Sequence, residues 1–200
     1  MKKQLWIYKI SFFVVITFLL ACGGSNSGNP VIEIKTSLGA VYVELYPEKA
    51  PQTCAAFLSY VDEGIFDNSS FYRVLNKENQ PSDASKSELI QGGIWESNSA
   101  KAQSLPGIPH EGTNITGILH KRGAISMARQ DTGTATSEFF ILVDDDPAYD
   151  YGGDANPDKQ GYAAFGKVIK GMNVVNKIYN QPANGQRFQR PIPIYKIRRD

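Results

Sequence analysis

From residue 31 onward the chain is built of short runs in which apolar and polar residues alternate, cut by Gly, Pro and polar turns. Alternation with a period of two places side chains on opposite faces of a strand, so each run buries one face and leaves the other free. Residues 31–36 and 40–46 alternate around Ser37-Leu38-Gly39, which predicts a β-hairpin. Further strands are predicted at 71–75, 89–93, 124–128, 139–143, 162–168 and 192–197. Two stretches have helical spacing instead. Pro51 opens one, with Ala55, Phe57, Leu58 and Val61 as its apolar face and Gly64 as its stop. The other runs over 171–179, with Met172, Val175 and Ile178 on one side. Many short strands and two helices in about 170 residues predict a single mainly β domain over 31–200, a closed antiparallel barrel with capped ends. Closure removes the exposed edges that such strands would otherwise present.

The first thirty residues follow a different logic. Lys2, Lys3 and Lys9 precede an apolar run from Phe12 to Ala21 that only Thr17 interrupts. A membrane-spanning helix needs roughly 20 apolar residues, so this run is too short to span comfortably. A basic start and a short apolar core predict a secretory signal peptide over 1–21. Leu19-Leu20-Ala21-Cys22 resembles a bacterial lipobox, in which the cysteine is lipidated and becomes the new N-terminus. That resemblance implies a lipid on Cys22 and a protein held in the bacterial envelope, on the outer membrane facing the periplasm. Ordinary secretion with an incidental cysteine is the plainer alternative. Residues 22–30, rich in Gly, Ser and Asn, form a flexible tether.

The formal charge is +1, and the three lysines before residue 21 account for more than that, so the remaining chain carries −2. This near-balance gives no basis for a nucleic-acid partner. Of the two cysteines, Cys22 is assigned to lipid, which leaves Cys54 without a disulfide partner. Cys54 lies in a helical stretch with no His or Asp beside it, the setting of a buried, inert thiol.

Five runs, in order, resemble one family: Phe71-Tyr72-Arg73-Val74, Ile90-Gln91-Gly92-Gly93, residues 123–129, residues 134–141 and residues 161–168. Together they are similar to the cyclophilin-type peptidyl-prolyl cis-trans isomerases. The resemblance implies an eight-stranded antiparallel β-barrel with a helix over each end, acting as a monomer on proline-containing polypeptides. It implies that Arg73 is the catalytic arginine and that Gln91 holds it and touches substrate. It gives Leu89 and Phe140 as apolar walls of a proline pocket, and places Tyr149 near another wall position. Tyr162 stands where many relatives have histidine. Ala128 and Arg129 match the segment whose backbone pairs with the substrate chain. Taken singly, each residue has an ordinary explanation: a surface strand arginine, core phenylalanines, a Gly-Gly turn.

The chemistry suits this residue set. A peptide bond resists rotation by roughly 18–20 kcal/mol because resonance keeps it planar. An X-Pro bond populates both isomers yet exchanges over tens to hundreds of seconds. No covalent bond breaks, so neither nucleophile, metal nor cofactor is required. An apolar pocket to grip the ring, a strand to hold the flanking chain and a fixed cationic donor aimed at the imide nitrogen would suffice. Arginine keeps its charge and offers its donors in a rigid plane.

Three features depart from the family pattern. Seventeen residues separate Arg73 from Gln91, and the polar segment 76–87 is an insertion. Glu88 stands where an aromatic pocket wall is usual, which leads us to expect a remodelled pocket with reduced turnover, its carboxylate competing for Arg73, or else a wall filled by an apolar residue from elsewhere. Glu138 replaces a common glutamine. The stretch 154–158 has alternate oxygen-bearing side chains but lacks the Gly and the bidentate Glu of a calcium loop. His110 and His120 have no ligand context and are expected to be ordinary hydrogen-bonding histidines. Three functions compete: a folding isomerase of exported proteins in the envelope, a catalytically weak module that binds proline-containing segments or a protein partner, and a hydrolase using carboxylates between 144 and 154, for which no base or nucleophile is positioned.

Overall fold

The computed structural model describes residues 28–83 and 86–200. The predicted signal peptide and Cys22 lie outside these residues. Among the described residues no helix is long and apolar enough to cross a membrane.

The predicted hairpin forms as β1 (Val31–Thr36) and β2 (Gly39–Leu45), with Thr36 paired to Gly39 across the turn. The first helix, α1 (Pro51–Asp62), follows. Next come β3 (Ser69–Leu75), β4 (Leu89–Gly93), α2 (Ser99–Ser104), α3 (Thr113–Thr116), β5 (Ala124–Met127) and β6 (Phe139–Leu142). A 3-10 turn at Pro147–Tyr149, β7 (Ala163–Lys170), α4 (Met172–Tyr179), β8 (Ala183–Asn184) and β9 (Arg187–Arg199) complete the chain. The strands run β1-β2-β7-β5-β6-β4-β3-β9, and β9 pairs again with β1. Eight antiparallel strands thus close a ring, with the two-residue β8 as a spur on β9. This is the expected barrel.

Period-two alternation decides what lies inside. Ile32, Ile34, Val41, Val43, Ile90, Ile125, Phe139 and Ile141 face the interior and are almost wholly buried. Phe57 of α1 closes one end over this core. Its ring lies 4.9 Å from Phe66, 5.0 Å from Phe165 and 5.6 Å from Phe139, the last edge-on. Such aromatic pairs add about 0.5–1.5 kcal/mol each beyond their burial. Glu111, remote in sequence, caps α1: its carboxylate accepts from Gln52 N, Thr53 N and the Thr53 hydroxyl. A carboxylate at this position satisfies orphan amides and suits the helix dipole.

Alternation also creates an outer cluster. Leu75, Leu89, Phe140, Leu142, Ala124 and Tyr149 pack against one another on the outside of the barrel wall. The long loop between β6 and β7 covers them. This second apolar cluster therefore sits outside the barrel, over β3, β4, β6 and β5.

Several details differ from the sequence expectation. The two predicted helices exist, but α2, α3 and the 3-10 turn accompany them. Each is under two turns long, too short to display a helical period. Asn98 caps α2 by accepting from Lys101 N at 3.1 Å, and Asp146 caps the 3-10 turn in the same way. On α1 the buried face is Thr53, Cys54, Phe57, Leu58, Tyr60 and Val61, while Ala55 is exposed. The last strand starts at Arg187 rather than 192, although Pro191 and Pro193 lie within it. Prolines argue against a strand because they lack the amide donor.

Candidate active site

Arg73 and Gln91 face each other across the β3–β4 ladder. The register slips between Phe71 and Arg73, so Tyr72 is an extra residue in β3. A bulge of this kind re-aims side chains that would otherwise alternate. Tyr72 and Arg73 consequently line the same groove, a cavity of about 600 Å³ bordered also by Gln91, Trp95, Ala128 and Glu138.

The guanidinium is fixed from two sides. Arg73 Nη1 donates to Gln91 Oε1 at 2.8 Å. Nε and Nη2 both donate to Gln186 Oε1, at 3.1 and 2.6 Å. Gln186 was not anticipated from sequence; it sits in the β8–β9 hairpin, and only the Asn184-Gly185 turn signal before it marks that hairpin. The insertion steadies the same corner. Asn79 Nδ2 donates to Val74 O and to Gly185 O, each at 3.0 Å. Gln80 ties the insertion to itself through Asn76 O, Ser87 O and Ser87 N.

Beside Arg73 stands an aromatic trio. Phe140 meets Tyr162 edge-on at 5.2 Å and Tyr149 at 5.3 Å, and the two tyrosines stack at 4.9 Å. Leu89 and Phe140, the expected pocket walls, are each only 2% exposed because Tyr149 lies over them. Burial raises the Tyr149 hydroxyl pKa to about 12, so it stays protonated. Tyr149 and Tyr162 with Arg73 form part of the lining of a second cavity, about 430 Å³, whose outer wall is the insertion at Gln80, Pro81 and Ser87.

Ala128 is half-buried and borders the larger cavity. The Arg129 side chain turns away from solvent: it donates to Gly161 O, forms a two-pronged pair with Asp158 at 2.7 and 2.9 Å, and lies over the Tyr162 ring. Its side chain braces Tyr162.

Glu88 does not approach Arg73 as expected. Its carboxylate pairs with Lys77 Nζ at 2.7 Å and accepts from the Tyr179 hydroxyl at 2.8 Å. The reason is parity: in β4, Leu89 and Gln91 face outward and Ile90 inward, so Glu88 shares the side of Ile90 and turns toward α4 at the barrel end. The competition between Glu88 and substrate for Arg73 is thereby excluded.

Behind the aromatic trio lies His120, 1% exposed. Its Nδ1 contacts Asp150 Oδ1 at 2.8 Å and its Nε2 contacts Ser126 Oγ at 3.0 Å. The ring stacks beneath Phe140 at 6.2 Å. His110 Nε2 meets Gln160 O at 3.0 Å. The two histidines are separate hydrogen-bonding groups, as expected. In the 154–158 stretch Asp154 pairs with Lys159 and Asp158 with Arg129. Among the described residues no three His, Cys, Asp or Glu side chains converge as metal ligands.

The family model for "cyclophilin type peptidyl-prolyl cis-trans isomerase/CLD" matches residues 31–199. The chain belongs to that family. This cyclophilin is 37% identical over 166 residues to a peptidyl-prolyl cis-trans isomerase of Acinetobacter baylyi, covering 82% of the one chain and 80% of the other. It is 30% identical to peptidyl-prolyl cis-trans isomerase B of Escherichia coli, covering 82% and 92%. A crystal structure of a Cryptosporidium parvum cyclophilin, determined in the presence of the dipeptide Ala-Pro, superposes with a TM-score of 0.66 at 22% identity, covering 85% of this chain and 98% of that one. The last comparison shares the barrel fold.

Proposed function

We propose that this isomerase turns X-Pro bonds at the face formed by Arg73, Gln91 and the Phe140–Tyr149–Tyr162 trio, on polypeptides exported into a bacterial envelope where a lipid on Cys22 holds it. The observation that carries the catalytic part is the clamp on Arg73. Gln91 and Gln186 engage three of its N–H groups. Arginine has five such donors, so two remain for substrate, held in a plane that cannot swing away.

A proline ring lodged against the aromatic trio leaves its imide nitrogen within reach of that guanidinium. As the bond twists, resonance is lost and the nitrogen lone pair becomes an acceptor. A donor fixed beforehand binds that twisted state more strongly than either planar isomer, which is the condition for catalysis. The backbone at Ala128 would hold the chain before the proline by strand addition. Lipid anchoring and envelope residence rest on the layout of residues 1–30: the basic start, the short apolar run and the Leu-Leu-Ala-Cys junction. On this reading the protein acts as a monomer.

One observation favours the second reading, a binding module with little turnover: Tyr149 covers Phe140 and Leu89, which leaves these two expected walls almost wholly buried. The experiment is prolyl isomerisation of a short X-Pro peptide by the purified protein and by Arg73→Ala. The expected result is a clear rate that collapses about 100-fold or more in the variant, in line with loss of an oxyanion-type donor. Bound peptide without turnover in the parent would instead establish the binding module.

A further inference from the structure

We propose that Glu138 is a positioning residue for this reaction, its carboxylate setting the direction of a hydrogen-bonded chain that ends on Arg73. This rests on the catalytic role proposed above for Arg73.

The chain has four members on three strands or their ends. Tyr72 OH donates to Glu138 Oε2 at 2.5 Å. Gln91 Nε2 donates to Tyr72 OH at 3.0 Å. Arg73 Nη1 donates to Gln91 Oε1 at 2.8 Å. At the root, Glu138 Oε1 accepts from Ile94 N, Trp95 N and the Ser137 hydroxyl at 2.9, 3.0 and 3.1 Å. The seat is built for this group. Gly93 has φ +145°, and a Cβ there would fall 2.5 Å from both carboxylate oxygens. The bulge that makes Tyr72 an extra residue is what brings its hydroxyl between Glu138 and Gln91.

The direction of every bond follows from the root. An ionised carboxylate only accepts. Tyr72 must therefore spend its one proton on Glu138 and present a lone pair to Gln91. Gln91 must then turn its NH2 toward Tyr72, which turns its carbonyl oxygen toward Arg73. An amide in the opposite orientation would set NH2 against N–H.

Replacing Glu138 by Gln reverses this sequence. The three donors at the root hold an amide oxygen, so the new NH2 faces Tyr72 and donates to it. The Tyr72 proton then has only Gln91 to serve, Gln91 flips, and its NH2 confronts Arg73. Burial raises the Glu138 pKa above the ordinary carboxylate range, against hydrogen bonds from Tyr72, Ser137, Trp95 and Ile94 that lower it. Protonation of Oε2 in mild acid would make it a donor to Tyr72 and reverse the chain as the Gln variant does. The other charged groups lining this groove are Arg73, Arg129 and Arg187. Arg129 is paired with Asp158 and Arg187 with Glu96.

The test measures kcat on an X-Pro peptide, and peptide Kd, for the parent, Arg73→Ala, Glu138→Gln, Tyr72→Phe and the Glu138→Gln/Tyr72→Phe double variant. Glu138→Gln is expected to lower kcat about tenfold with Kd unchanged, one well-placed hydrogen bond being of that order. Tyr72→Phe is expected to lose less, because Gln91 is then free to follow Arg73. The double variant should be no worse than Tyr72→Phe alone. Should Glu138→Gln fail to fold, the pH profile decides. The parent's kcat should fall in mild acid, and Tyr72→Phe should lack that limb. A Glu138→Gln kcat within twofold of the parent, losses that multiply in the double variant, or an acid limb that persists in Tyr72→Phe would each overturn the proposal. Full activity in Arg73→Ala would overturn the underlying assignment as well. Collapse in Arg73→Ala with an unaffected Glu138→Gln would overturn the positioning role alone.

Discussion

One oxygen atom, Gln186 Oε1, accepts from both Nε and Nη2 of Arg73 across a sequence separation of 113 residues. It holds the side of the guanidinium opposite to Gln91. Replacing Gln186 by Ala frees one edge of the plane and lets the donors wander. The expected outcome is a fall of about tenfold or more in kcat, the order of a lost hydrogen bond to a charged group, with a smaller change in Tm because Gln186 sits at a partly exposed turn. Steady-state kinetics beside a thermal melt check this. A wild-type kcat would show that Gln91 alone suffices.

Glu88 is engaged with Lys77 and Tyr179 at the barrel end, not with Arg73. Lys77 is largely exposed, so the pair is screened by water. Glu88→Gln is expected to leave prolyl turnover within twofold of the parent and to cost less than about 1 kcal/mol of stability. Chemical denaturation and the isomerase assay, run on the same preparation, separate the two effects.

Asp158 gives a signed dependence on pH. Its hydrogen bonds from Arg129 hold its carboxyl well below the ordinary value of 3.8. The folded pKa is therefore lower than the unfolded one. Its contribution to stability is fully present above about pH 4, the unfolded range, and is lost as pH falls through the lower folded value. The Tm difference between the parent and Asp158→Asn should be constant near neutrality and shrink below about pH 4. A difference that widened in acid would contradict the sign.

Cys54 has its thiol at the inner surface of α1, donating to Phe165 O at 3.5 Å. Burial pushes its pKa up to about 12. At pH 8 almost no thiolate forms and no reagent reaches it. Alkylation mapped to the Cys54 peptide should be negligible in the native protein and complete in denaturant. Rapid native labelling would mean that α1 opens readily from the barrel end.

The strands that alternate cleanly were readable from sequence: Ile32 and Ile34, Val41 and Val43, Phe139 against Phe140. The closed ring then needed only a partner for each edge. What escaped were features with no period. The helices α2 and α3 are too short to repeat, and β9 carries Pro191 and Pro193, which disguise its first half. In the site, Arg73 and Gln91 were identified by resemblance and lie together. Gln186 escaped because a polar hairpin residue carries no local mark of what it touches. Glu138 was visible only as an unusual residue; its contacts depend on the bulge at Tyr72, which no pattern of hydrophobicity encodes. Glu88 was misplaced because an aligned position was allowed to outrank strand parity.

Closure of the ring puts β1 beside β9, with Ile32 opposite Arg199 and Asp200 N donating to Val31 O at 3.0 Å. Val31 and Asp200 are therefore neighbours, and the strand order along the chain reflects only where a continuous hoop has been cut. A short linker could weld those ends and move the cut to an exposed turn elsewhere. The barrel is indifferent to where its thread begins, and the rung just outside β1 is already made by Pro30, whose carbonyl accepts from Leu45 N at 2.8 Å.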